Sequence, residues 1–182
     1  MTSKPGLEPT PSQTVGPFFH DALLGEDRSE LVPPDHPLGV RIEGTVYDGA
    51  GEPVPDAMVE IWHANEEGRY DDPEAFSGFG RSGTDADGRF SFVTVKPGPI
   101  SYPDGGLQAP HVMVSVFARG LLKRLVTRIY FPDERESNAR DHVLSSVEDP
   151  EFRKTLVARD EGGVLRFDIY LQGEEQTAFF EL

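Results

Sequence analysis

The sequence predicts an all-β chain: a single β-sandwich of mainly antiparallel strands, with an extended N-terminal arm and one or two short helices. Three observations carry this. Apolar residues recur with period two over residues 40–47, 58–62, 90–95, 111–117, 125–131 and 165–171, with 177–181 as a further candidate strand. Turn-forming clusters separate these runs, notably Asp48-Gly49-Ala50-Gly51 and Asp85-Ala86-Asp87-Gly88. Strands do not alternate with long amphipathic helices, so a βαβ architecture has nothing to build on.

The elements follow in chain order. Pro9, Pro11, Gly16 and Pro17 fall within nine residues and favour an extended arm. Ordering such a segment costs about 1 to 2 kcal/mol per residue. Val15, Phe18 and Phe19 are therefore expected to lie across a surface, that of a partner subunit in preference to the arm's own domain. Residues 26–37, with their charges and three prolines, read as a linker. The division expected is 1–37 for arm and linker and 38–182 for the sandwich. The charged stretch 133–141 reads as a solvated loop. One helix is signalled beyond it, with Asp149 as cap, Pro150 at the first position and Glu151 on the positive end of the dipole.

Composition bounds the function. The 182 residues suit one domain. Acidic residues number 32 against 17 basic, a formal charge of -15, which argues against nucleic acid and anionic membranes as partners. No apolar leader core precedes Pro17 and no run of about eighteen apolar residues occurs, so a cytoplasmic location is expected. The absence of cysteine removes disulfides, thiolate metal sites and thiol nucleophiles, leaving oxygen and imidazole as metal donors.

Most motifs dissolve on inspection. Gly78-Phe79-Gly80-Arg81-Ser82-Gly83 fits a dinucleotide fingerprint only in letters, because no strand precedes it and no helix follows, and it reads as a loop. Asp85-Ala86-Asp87-Gly88 lacks the first acid and the closing glutamate of a calcium loop, so it reads as a turn. No G-x-S-x-G elbow supports a serine hydrolase. The acidic residues read as solvated faces, not as a glycosidase pair. One strand stands apart. Along 111–117 the side chains of His111, Met113, Ser115 and Phe117 share a face, which gives His-x-Met where His-x-His would chelate an ion. A thioether is a poor ligand for a hard ferric ion. Read by itself, His111 is a hydrogen-bonded structural histidine, and so is His63.

An ordered string of segments places the chain in context: Val46-Tyr47-Asp48-Gly49, Ile61-Trp62-His63-Ala64-Asn65, Gly68-Arg69-Tyr70, Gly80-Arg81, Gly88-Arg89-Phe90-Ser91-Phe92, Lys96-Pro97-Gly98-Pro99, Ala109-Pro110-His111 and Arg128-Ile129-Tyr130-Phe131. Together these resemble the intradiol ring-cleavage dioxygenases. Residues 10–18 and 166–174 further resemble the alpha subunits of the family's two-chain members.

The resemblance implies the same sandwich fold and oxidative opening of a dihydroxylated aromatic acid by O2. In the family's catalytic subunits ferric iron is bound by two tyrosines and two histidines. In this sequence the loop 71–80 holds no tyrosine for the first position, and Ile100 stands at the second with Tyr102 displaced by two. His111 matches the third, and Met113 replaces the second histidine at the fourth. No metal is then expected on this chain. Fe(III) is expected on a homologous catalytic beta subunit in a hetero-oligomer, with a small aromatic acid and O2 as substrates of the complex. The residues assigned to substrate pocket or interface are Thr14, Gly16, Pro17, Tyr70 and Arg119. The resemblance puts Arg119 near the opening of the family's pocket, with Arg128 as the weaker alternative and an ordinary salt bridge as the plain reading. Two rival readings stay open: an autonomous iron enzyme using Tyr70, Tyr102, His63 and His111, and a β-sandwich binding module without chemistry.

Overall fold

The structure, a computed structural model, describes residues 9–16, 18–26, 28–70, 76–102 and 105–181. In chain order its elements are α1 (Phe18–Leu23), β1 (Gly39–Tyr47), β2 (Met58–Trp62), β3 (Phe79–Gly83), β4 (Arg89–Val95), β5 (Ile100–Ser101), β6 (Leu107–Gln108), β7 (His111–Phe117) and β8 (Leu125–Tyr130). Then follow α2 (Arg135–Arg140), α3 (His142–Ser146), α4 (Pro150–Lys154), β9 (Arg159–Asp160), β10 (Val164–Arg166) and β11 (Ile169–Tyr170).

Two sheets face each other. In the first, β1 pairs antiparallel with β4 along one side and in parallel with β10 and β11 along the other, and β9 closes the edge. The second runs β3-β2-β7-β8, antiparallel throughout. Period-two alternation sends Val59, Ile61, Val112, Val114, Val116 and Ile129 inward from the second sheet. There they meet Ile42, Val46, Phe90, Phe92, Phe167 and Ile169 of the first. A smaller apolar cluster of Ala109, Tyr130, Leu144, Leu156 and Ala178 lies where the helical region packs on the end of β8.

The run expected as one strand over 165–171 is two. The register with β1 is unbroken, Glu43 opposite Arg166 and Val46 opposite Ile169. Between them the Asp168 carboxylate, at 3.0 Å, takes the Thr45 N–H that a ladder carbonyl would otherwise accept. Gly44 makes this possible, since a β-carbon there would sit 1.8 Å from the Phe167 carbonyl oxygen. Gly44→Ala is expected to cost more than about 2 kcal/mol, because only backbone movement relieves the overlap. A urea midpoint unchanged from the parent would refute this.

The Gly78–Gly83 stretch, expected to be a loop, is largely strand β3, with Gly80 opposite Ile61. Its glycines answer to packing: a β-carbon at Gly78 would lie 1.8 Å from the His63 carbonyl oxygen, and one at Gly80 would meet Leu31 and Ile61. Residues 133–141 hold α2, and Asp141, far from solvated, is fully buried. With α1, α3 and α4 this gives four short helices among the described residues, where one or two were expected. Only α4 was signalled in the sequence, and its Asp149 carboxylate accepts from Glu151 N–H as anticipated. Residues 177–181 run beside β8 without becoming a strand, linked by Phe180 N–H to the Val126 carbonyl and by the Thr127 hydroxyl to the Ala178 carbonyl. Both anticipated turns are present, each with its aspartate accepting two backbone N–H groups and a glycine at positive φ, Gly51 and Gly88.

The N-terminal segment lies on its own sandwich. The Thr14 hydroxyl accepts from Gly120 N–H at 2.8 Å, and the Phe19 ring rests 6.0 Å from that of Phe117. Residues 28–31, read as linker, hydrogen-bond to both sheets: Arg28 to Arg81 of β3, and Ser29 and Leu31 to Val93 of β4.

Candidate functional site

Strand β7 carries His111 at one end and leads to Arg119 beyond the other. The strand alone, from His111 to Phe117, spans roughly 20 Å, and Arg119 lies in the turn beyond it, so the candidate residues fall into two groups.

The first group gathers at the Arg119 end. Arg119 pairs with Asp56 while its side chain stays 73% exposed, and the next residue, Gly120, is the one that binds Thr14. Gly16 is exposed nearby in sequence, and Phe18 is 77% exposed. Pro17 lies outside the described residues. Arg119 lies beyond the far end of β7 from His111, at a rim of the sheet. Its carboxylate partner is within the chain, as the plain reading had it.

The second group occupies the outward face of the second sheet around His111. Trp62 of β2 stands opposite Met113 of β7, and Met113 opposite Arg128 of β8, so the three form one cross-strand row. His111 pairs in register with Tyr130. Arg128 Nη1 donates to Gln108 Oε1 at 2.9 Å and to the Tyr130 hydroxyl at 3.3 Å, and that hydroxyl donates to the buried Asp141 carboxylate at 3.2 Å. Tyr70 lies over Trp62, ring centroids 5.8 Å apart and planes within 8°.

The electrostatics of this face are those of a fixed cation. Burial holds the His111 imidazole down at about 4, and the Arg128 charge adds to the effect. Burial raises the Tyr70 hydroxyl above its ordinary value while Arg128 opposes that shift. Tyr130 is likewise raised, first by burial. Burial likewise holds His63 down at about 4, so His111 and His63 are neutral at pH 7.

The donor set does not fit a ferric ion. His111 donates from Nδ1 to the Ala109 carbonyl at 2.7 Å, leaving Nε2 as its acceptor nitrogen. His63 has both nitrogens engaged, Nδ1 with the Ala64 carbonyl at 2.7 Å and Nε2 with the Thr94 hydroxyl at 2.8 Å. Tyr102 packs on His142, ring centroids 4.0 Å apart, and Tyr47 stacks on Tyr170 in the other sheet. Among the described residues no group of three or more His, Cys, Asp or Glu side chains converges for a metal. Beside the one matched position, His111, stand a thioether and a guanidinium.

Trp62, Gln108 and Asp141 were not singled out from sequence. Alternation alone puts Trp62 on the outward face, but only the cross-strand register reveals Arg128 two strands away. A cleft of about 590 Å³ between the linker and β3 is lined by Arg41, Arg81, Arg89 and Arg166. Those charges are met by Glu43, Glu60 and Asp87.

Comparison with known proteins agrees with this layout. A family model described as Dioxygenase matches residues 14–173. The alpha chain of protocatechuate 3,4-dioxygenase from Pseudomonas putida is 40% identical over 195 residues, spanning 96% of this chain and 97% of its own. The beta chain of the Burkholderia cepacia enzyme is 35% identical over 194 residues, spanning 91% of this chain and 77% of its own. The solved dioxygenase domain of a dioxygenase carbohydrate-binding protein fusion from Streptomyces sp. SirexAA-E superposes with a TM-score of 0.60 at 28% identity, covering 91% of this chain and 99% of that one.

Proposed function

Because this chain belongs to the intradiol ring-cleaving dioxygenases, matched from residue 14 to residue 173, we propose that it is the alpha chain of a protocatechuate 3,4-dioxygenase, acting beside a homologous beta chain that holds the ferric ion. The complex opens 3,4-dihydroxybenzoate with O2 between its two hydroxyl-bearing carbons. The product is 3-carboxy-cis,cis-muconate, which retains both oxygen atoms, so no external reductant is consumed. The observation that carries this reading is a conjunction. Similarity to an alpha chain extends along nearly the whole length of both proteins, while His111, the one matched ligand position, has a thioether in the next outward place on its strand and a guanidinium across from that thioether.

In this reading the chain contributes surface and positioning. Thr14, Gly16 and Pro17 of the arm, with Arg119, form part of the wall of the beta chain's pocket or the subunit contact around it. Support comes from the gathering of Thr14 and Arg119 at one exposed rim. Small and rigid residues let a ligand approach the backbone, and a guanidinium suits a carboxylate. No helix among the described residues is long and apolar enough to cross a membrane. A place in the cytoplasm goes with this reading.

The test is reconstitution. Oxygen uptake on protocatechuate is expected to be absent with this chain alone and to appear when it is co-expressed with the homologous beta chain, with iron recovered on the latter. Turnover and a tyrosinate-coloured ferric centre in the purified single chain would establish the autonomous-enzyme reading instead.

A further inference from the structure

The outward face around His111 has a chemistry of its own. Arg128 is a half-buried guanidinium whose hydrogen bonds, among the described residues, go to the neutral oxygens of Gln108 and Tyr130, and both leave from Nη1. Among the described residues it has no ion pair. That is unusual within this chain, where acidic residues outnumber basic ones by 32 to 17. Other partly buried guanidiniums, Arg81 and Arg166, are each met by a carboxylate, from Glu60 and Glu43. Desolvating a guanidinium without an anion is costly, and its fork is shaped to take a carboxylate through two parallel hydrogen bonds.

A flat apolar surface adjoins it. Trp62 and Tyr70 stack on each other yet remain 47% and 42% exposed. Trp62 lies two strands from Arg128 with Met113 between them, about 10 Å at ordinary strand spacing. A ring-bearing acid spans that distance once the reach of the arginine side chain is counted. Aromatic faces and a thioether favour a planar ring over an aliphatic chain.

We propose that this face is a binding site for an aromatic carboxylate: Arg128 takes the carboxylate and the Trp62–Tyr70 pair takes the ring. The guanidinium supplies the positive charge in a place where the described residues offer no donor set for a metal. The site is open, so the affinity expected is modest, with Kd on the order of 1 mM. The geometry belongs to this chain alone. Only the choice of a hydroxybenzoate as the probe rests on the function proposed above.

Trp62 is the single tryptophan of the sequence, so it reports on this face without interference. With 5-fluorotryptophan incorporated into this chain only, the fluorine resonance is followed during titration with 4-hydroxybenzoate, first in the full chain alone and then in the complex with an unlabelled beta chain. A saturable shift is expected in both. Acetate and phenol, each carrying half of the chemistry, are expected to bind at least tenfold more weakly. Arg128→Gln is expected to weaken binding at least tenfold and Arg128→Lys less, with circular dichroism confirming that both variants fold. No saturable shift, or a shift that Arg128→Gln leaves unchanged, overturns the proposal. So does a resonance that moves on assembly and then ignores the acid, since the occupant is then a group of the beta chain. Oxygen uptake measured on the same complex separates the two ideas: turnover without a fluorine response defeats this proposal alone, and a response without turnover defeats the functional reading alone.

Discussion

Acidification from pH 7 to pH 4 is expected to remove on the order of 5 kcal/mol of folding stability through two histidines alone. His63 and His111 are both buried and both held at about 4 instead of the usual 6.5, burial being the main cause in each. The folded chain therefore keeps them neutral while the unfolded chain takes up a proton on each below about pH 6.5. The unfolded state binds more protons, so stability is complete above that value and falls as pH drops toward 4. The slope is about 3 kcal/mol per pH unit when both groups contribute fully. A loss of this size rivals the whole stability of an ordinary domain. Urea unfolding measured at pH 7, 6 and 5 tests it, and replacing His111 by Gln should roughly halve the slope. A flat profile between pH 6.5 and 5 would mean that the imidazoles are charged within the fold.

Asp141→Ala carries the second large effect, a loss of about 4 kcal/mol. The carboxylate accepts from Leu144 N–H at 2.8 Å, which caps α3, from Ala109 N–H at 2.8 Å, and from the Tyr130 hydroxyl. Losing a cap costs about 1 kcal/mol. Each buried donor left without an acceptor costs about 1 to 3 kcal/mol. Asp141→Asn, which keeps an acceptor oxygen, is expected to recover part of the loss. Denaturation midpoints decide the matter: an alanine variant within about 1 kcal/mol of the parent would show that water replaces the carboxylate.

Asp141 also shows where the sequence stopped being informative. It closes a stretch of charged residues, and its partners Ala109 and Tyr130 lie 32 and 11 positions away, so nothing local distinguishes it from the solvated charges before it. Strands β2, β7 and β8 were legible because period-two alternation of branched and aromatic residues is a local signal. β3 was not, since its glycines erase the alternation and what crowds them, Leu24, Leu31 and Ile61, comes from distant parts of the chain. His111 and Met113 were visible as a pair for the same local reason. That Arg128 is the cation beside His111 was not legible, because strand register decides which side chains become neighbours. The separation of the Thr14–Arg119 rim from the Trp62–Arg128 row is a property of the assembled sheet.

The strip formed by residues 28–31 has a bearing on how the molecule behaves in company. β3 and β4 are the outer members of their sheets on that side, and each would otherwise offer a row of bare amide and carbonyl groups on which a strand from a neighbouring molecule could add. One short segment occupies both rows through Arg28, Ser29 and Leu31, so the sandwich carries its own guard against sticking to copies of itself. Cleavage between this strip and β1 would free it to leave and bare both rows, which is expected to seed fibrous association.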